Sequence, residues 1–232
     1  MEKDLGVLEK KIKAVFKNKD ILRQALVHRS YLNENPGFRL GHNERLEFLG
    51  DAVLELVVTD YLYHTFPEAT EGAMTNWRAS LVNSEMLAKI GASLELDPLL
   101  YLSRGEGKDA ASKARRYILT NAFEAIVGAI YLDRGYKIAE KFIHRFVLPE
   151  LPKIIEQGLD IDPKSRLQEL SQEKLKSTPR YDVLKEVGPD HAKWFTIGVY
   201  LGSELAASGE GSSKQEAQLQ AAKNALEEKG WS

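Results

Sequence analysis

A chain of 232 residues has room for one large domain or two modest ones, and a hydrophobic share of 43% is enough to pack either. No tract is long and apolar enough to span a bilayer, and the charged N-terminus lacks a secretory apolar stretch, so a cytoplasmic protein without a membrane partner is expected. With no cysteine, disulfides and thiolate zinc sites are excluded; a net charge of −2 leaves any nucleic-acid binding to local placement of charge.

From the N-terminus to about residue 156 the sequence reads as helix after helix. Apolar positions recur at three and four through Leu5–Phe16, Ile21–Val27, Leu46–Leu62, Met74–Ile90 and Ile118–Leu132. Turn chemistry separates them at Asn33–Gly37, Phe66-Pro67, Asp97-Pro98 and Ser103–Gly107, and a last helix near Ile138–Ile155 is interrupted around Pro149 and Pro152. The spacing predicts an all-α domain over residues 1–156, present once because no internal repeat exists. Residues 157–163 form a short polar connector. A helix from Lys164 to about Leu175 follows, then strands over Tyr181–Val187 and Lys193–Leu201. A tight turn at Leu201–Glu204 leads to a third short strand, Leu205–Ser208. Gly209–Ser213 opens an alanine-rich helix, Lys214–Glu228. The pattern predicts a multidomain chain in which residues 164–232 form a small α+β module, ordered α-β-β-β-α.

Within the third apolar run, Glu44, Glu47 and Asp51 fall at spacings of three and four, which brings them to one helical face. They stand among Leu46, Phe48, Leu49, Val53 and Leu56. Unpaired carboxylates in apolar surroundings repel one another and resist losing water, so a positive charge has to compensate them. Some seventy residues downstream, Glu124 is the one charge in an otherwise apolar helix from Ile118 to Leu132. Ala122, Ala125, Gly128 and Ala129 there, and Gly50 beside Asp51, would let these two helices approach closely. Packed together, they would gather Glu47, Asp51 and Glu124, with Asn121 one turn away. Three carboxylates and an amide oxygen are hard ligands that suit Mg²⁺ or Mn²⁺. The alternative is that the acids pair with Arg45, Arg78, Arg115 or Arg116 and only hold the fold. The five histidines show no metal-ligand or triad spacing, and His42 reads as a helix-entry residue.

The run from His42 to Leu54, HNERLEFLGDAVL, resembles the defining motif of the ribonuclease III family, the double-stranded-RNA endonucleases. It is joined by Thr70-Glu71-Gly72 and Ala122–Ala125 in the family's order, and residues 164–232 resemble its double-stranded-RNA-binding domain. The resemblance implies a homodimeric endoribonuclease. Its divalent-metal-activated water hydrolyses duplex RNA, leaving 5′-phosphate and 3′-hydroxyl ends, in the processing of ribosomal RNA precursors, messenger RNA and other structured transcripts. Mg²⁺ is the implied cofactor, with Mn²⁺ as substitute and no small-molecule cofactor. Glu47, Asp51 and Glu124 match the catalytic and metal-binding carboxylates, Glu44 and Glu71 match acidic positions near the RNA, and Phe48 matches the aromatic that enters a socket on the partner subunit. Phe48 as a plain core residue is the alternative. One domain supplies one centre, and cutting both strands needs two, which also argues for a dimer.

At Asn121 the chain departs from the family, which usually carries a fourth aspartate. An amide carbonyl can ligate a metal but brings no negative charge. Three outcomes stand open: an active enzyme with altered metal demand, a catalytically weakened or inactive double-stranded-RNA-binding protein, or an Asn121 that satisfies backbone while another acid replaces it. In the second domain, Ser165, Gln168, Glu169 and Gln172 share one face of a helix and can serve 2′-hydroxyls. The Gly188–His191 turn would present His191 to a second minor groove. Ser213, Lys214 and Gln215 open a helix whose first-turn amides favour phosphate. Gln215 stands where the family often has a second lysine, which weakens that clamp and predicts binding that falls sharply with salt. Ordinary solvated helix positions are the alternative for these glutamines.

Overall fold

The computed structural model describes residues 3–106, 113–157, 163–189 and 193–231. It divides into two compact units, residues 1–160 and 161–232. The connector falls largely outside the described residues.

The first unit is helical. Helices α1 (Leu5–Ile12), α2 (Lys19–Ala25) and α3 (Arg29–Glu34) precede the 22-residue α4 (Glu44–Thr65). Then come α5 (Glu71–Val82), α6 (Ser84–Ser93), α7 (Lys113–Arg134), α8 (Tyr136–Phe146) and α9 (Leu151–Gln157). The ends follow local chemistry. Asp4 accepts from the N–H groups of Gly6 and Val7 at the start of α1, and Thr70 accepts from Ala73 N–H at the start of α5. Phe66, before Pro67, closes α4. Between Ile118 and Ile130 α7 is buried nearly all round, and it packs against α4 more extensively than any other pair of elements. Leu54, Leu62, Phe123, Ile126 and Ile130 are sealed in the same core.

Two expected boundaries are corrected. Met74–Ile90 is not one helix: Asn83 takes an extended backbone and its side chain accepts from Met86 N–H, ending α5 and starting α6. α1 stops at Ile12, because Lys13 is its left-handed C-cap. Among the described residues no helix is long and apolar enough to cross a membrane.

The second unit is the expected α+β module: α10 (Pro163–Leu175), β1 (Arg180–Val187), β2 (Trp194–Leu201), β3 (Glu204–Gly211) and α11 (Lys214–Glu228). The strands form an antiparallel sheet in the order β1-β2-β3, with Gly202 at φ +65° in the β2–β3 turn. Leu167 and Leu170 of α10 and Ala221, Ala222 and Ala225 of α11 pack on Val199, Leu201 and Ala207. The third strand runs longer than expected, through Gly209 and Gly211. These glycines serve close packing: a Cβ on Gly209 would stand 2.6 Å from the Ala217 carbonyl oxygen on α11.

Candidate functional site

The acidic centre is positioned by a backbone crossing. A Cβ on Gly50 would lie 2.6 Å from the carbonyl carbon of Glu124 and 2.8 Å from the amide nitrogen of Gly128. Gly128 in turn faces the Leu46 carbonyl, so α4 and α7 touch main chain to main chain. The start of α4 is tied down separately. Asn43 is buried, its N–H donates to the Val27 carbonyl at 2.9 Å and its side-chain amide to the Ala25 carbonyl at 3.2 Å. On α7, the Thr120 hydroxyl donates to Ser84 O at 2.8 Å, fixing the turn that carries Asn121.

This crossing brings Glu47, Asp51 and Glu124 into electrostatic contact. Burial first, then the charges of Asp51 and Glu47, push the Glu124 carboxyl up to about 8. Burial, then Glu44 and Asp51, also raise Glu47, while the Asn121 side chain beside its carboxylate works the other way. No cation offsets them among the described residues. Arg78 faces Glu55 at 3.7 Å and donates to the Thr59 hydroxyl, and buried Arg115 holds Asp97 at 2.6 and 3.0 Å. Arg45 and Arg116 are exposed. Salt bridging to these arginines is therefore not what the acids do among the described residues.

Two features bear on whether a metal fits. Glu47 Oε2 is buried with no hydrogen-bond partner, an oxygen lacking the positive group that its burial calls for. The donors are all hard oxygens, right for Mg²⁺ or Mn²⁺. Against this, among the described residues no three acidic or histidine side chains are already arranged to hold an ion. Asp51 is exposed, contrary to the apolar setting expected for it, because α4 turns that flank outward. The residues fit a metal as a set that is gathered but not closed.

The other nuclease positions separate. Glu44, the exposed first residue of α4, lies 3.7 Å from both Arg29 and His42. Glu71 starts α5 and lines a different cleft with Thr59, Tyr63 and Arg78; Thr59 is twelve residues along α4 from Glu47, or roughly 18 Å. Phe48 is 81% exposed, so it is not a core residue, and Leu56 at 57% is not one either. A cleft beside Phe48 is lined by Ile21, Gln24, His42, Leu49 and Leu132.

In the second unit, Ser165, Gln168, Glu169 and Gln172 are exposed on α10, opposite the buried Leu167, Leu170 and Ser171. Glu169 lies 3.8 Å from Arg166. At the start of α11, Ser213 is committed to the helix: its hydroxyl accepts from Glu216 N–H at 3.1 Å. The Glu216 carboxylate, which sequence reasoning passed over, accepts from both the N–H and the hydroxyl of Ser212 and is held below the usual carboxylate range by them. This is a variant of the capping box in which the carboxylate reaches Ser212, one residue before the cap, and the pattern Ser-x-x-Glu could have announced it. Lys214 and Gln215 remain exposed, with the Lys214 ammonium 5.7 Å from the centre of the Phe195 ring. Lys164, also missed, lies 5.1 Å over Tyr181 and donates to Gln218. His191 lies outside the described residues.

Residues 18–151 match the family described as Ribonuclease-III-like, and residues 163–229 match the double-stranded RNA binding motif. Proteins named Ribonuclease 3 from Carboxydothermus hydrogenoformans and Dehalococcoides mccartyi are 46% and 44% identical over 227 residues, 97% of this chain and 96% and 94% of theirs. The nuclease domain of ribonuclease III from Campylobacter jejuni superposes with a TM-score of 0.56 at 38% identity, over 64% of this chain and 97% of that domain. A second structure of that domain is described by flexibility in its region involved in dimer formation. Similarity of this extent, spanning the helical unit and the α+β module together, places the chain in the ribonuclease III family.

Proposed function

We propose that the chain is a cytoplasmic, homodimeric, Mg²⁺-dependent endoribonuclease that cuts double-stranded RNA, with Mn²⁺ as substitute, and leaves 5′-phosphate and 3′-hydroxyl ends on structured transcripts such as ribosomal RNA precursors. One observation carries the reading: three carboxylates are gathered by the α4–α7 crossing with no basic side chain among the described residues to neutralise them. A bound divalent ion would supply an acidified water and charge relief at the scissile phosphate. Glu47, Asp51 and Glu124 would hold it through carboxylate oxygens, and Asn121 would offer its carbonyl. The α10 face of Ser165, Gln168, Glu169 and Gln172 supplies donors and acceptors for 2′-hydroxyls, and Lys214 supplies charge for phosphate. Phe48 stands exposed beside a cleft of about 680 Å³. A two-fold dimer would seat each Phe48 in its partner and set two centres against two strands.

The second reading, duplex-RNA binding with weakened or no cleavage, is favoured by Asn121 and by the lack of a preformed three-ligand set among the described residues. Cleavage of a duplex RNA across a Mg²⁺ and Mn²⁺ titration separates the two, with Glu124→Gln as the inactive control. Cutting by wild type that Glu124→Gln abolishes supports the enzyme. Duplex binding without cutting at any metal concentration, with cutting restored by Asn121→Asp, would establish the second reading. Deleting residues 161–232 should weaken duplex affinity at moderate salt; unchanged affinity would remove the α+β module from recognition.

A further inference from the structure

Three cations of the helical unit line one cleft between the end of α1 and α8. Lys13, the C-cap of α1, adopts a left-handed backbone at φ 55°, and its N–H donates to the Glu9 carbonyl. The turn it forms faces α8 across a cleft of about 100 Å³. Ile12, Ala14 and Phe142, all buried, line that cleft together with Ile138, and Lys13, Lys141 and Arg145 bring three exposed positive charges to it. Lys141 and Arg145 are four residues apart on α8, hence on one face.

None of these three cations forms an ion pair or side-chain hydrogen bond among the described residues. The acids nearest in the chain are engaged elsewhere. Glu9 is turned inward to Lys19 and Phe16 N–H, Asp133 accepts from the N–H groups of Lys17 and Asn18, and Glu140, which shares a neighbouring cleft with Lys141 and Arg145, lies 3.5 Å from Lys137. Three like charges around one small cleft repel each other, and an anion relieves them.

We propose that this cleft binds a phosphate group. A planar guanidinium can grip two phosphate oxygens at once, two lysines add point charges, and the apolar lining strengthens both by displacing water. The phosphate can belong to the backbone of a duplex RNA or to a free phosphate or nucleotide. The RNA source rests on the function proposed above; phosphate binding itself does not, and needs no cleavage to be seen.

The test uses the full chain without divalent metal. The thermal midpoint is followed against inorganic phosphate at constant ionic strength, for wild type and for the triple variant Lys13→Gln/Lys141→Gln/Arg145→Gln. Duplex-RNA affinity is measured over a salt series in parallel. Phosphate should raise the wild-type midpoint and leave the variant's unmoved. If the phosphate is RNA backbone, the logarithmic salt dependence should also flatten by roughly 0.9 for each RNA phosphate that the variant no longer neutralises. Abolished phosphate protection with unchanged RNA binding keeps the site and assigns it to a free phosphate or nucleotide. Equal response of wild type and variant to phosphate, with equal salt slopes, overturns the proposal. Should the triple variant fold poorly, Lys141→Gln alone, at an exposed position, must show part of the effect, while Lys13→Arg/Lys141→Arg must behave as wild type in both assays. A Lys141→Gln protein indistinguishable from wild type in both assays would equally overturn it.

Discussion

Replacing Asn121 by aspartate should make the metal-free protein less stable and the metal-loaded protein easier to form. The substitution removes the amide that favours the ionised Glu47 carboxylate and puts a fourth acid beside Glu47, Asp51 and Glu124. A full hydrogen bond to a charged acceptor is worth about 1.5–3 kcal/mol, and the looser contact between Asn121 and Glu47 takes the lower end. One added like charge about 5 Å away contributes about 0.8 kcal/mol at the dielectric of water and about 3 kcal/mol at an effective value of 20. Glu47 is half-buried and Asp51 exposed, which favours the lower ends, and proton uptake by the new carboxyl caps the repulsion. A net cost of about 2–3 kcal/mol lowers the midpoint by roughly 4–12 °C for a unit of this size. The same charge that destabilises the empty site attracts a divalent ion, and about 1.4 kcal/mol of that attraction is tenfold in metal requirement. The assay is a thermal melt of wild type and Asn121→Asp in chelator and across a Mg²⁺ titration, with duplex cleavage read alongside. Equal midpoints in chelator and an unchanged Mg²⁺ requirement would refute the account of Asn121.

Gly50→Ala should cost about 3 kcal/mol or more, since its methyl would lie 2.8 Å from Gly128 N and force α4 from α7; an unfolding free energy from denaturant melts within about 0.5 kcal/mol of wild type would contradict the crossing. Phe48→Ser should leave the subunit folded and loosen the proposed dimer by about 3–6 kcal/mol, two buried rings per two-fold interface, read as dissociation by sedimentation; an unchanged dimer constant would remove Phe48 from the interface. Burial raises the Glu9 carboxyl, but the Lys19 ammonium and Phe16 N–H outweigh it, so its folded value lies below the ordinary 4.5. Its stabilisation is therefore full above the unfolded carboxylate value and disappears as pH falls through the lowered folded one. Glu9→Gln should lose on the order of 1 kcal/mol near neutrality and close that gap in acid, so a pH-independent deficit would disprove the pairing.

Much of the fold could be read because its signals are local. The apolar spacing of α4 and α7, the glycine turn before β3 and the alanine face of α11 each follow from residues close in sequence. Gly50 and Gly128 even indicated which helices meet, since only small residues permit main chains to touch. Illegible features depend on partners distant in sequence. Asn83 splits Met74–Ile90 through a cap that an otherwise helical run conceals. Gly209 and Gly211 look like a loop until α11 lies on them, and then they are strand residues with no room for a side chain. Phe48 resembles its buried neighbours Leu46 and Val53 by hydrophobicity, and only the direction of its side chain separates them. The acids were visible as a pattern because unbalanced charge in an apolar run is conspicuous. That Asp51 faces outward depends on the rotation of α4, which the spacing of three and four leaves open.

The main-chain contact between Gly50 and Gly128 has a dynamic consequence. Neither helix can slide or breathe there without lifting an entire backbone segment, so hydrogen exchange at the Gly128 amide should require opening of the whole helical unit. Motions that loosen the periphery, such as fraying of α1 or α9, would leave the spacing between the Glu47 and Glu124 backbones untouched, and the protein should keep that spacing until it unfolds.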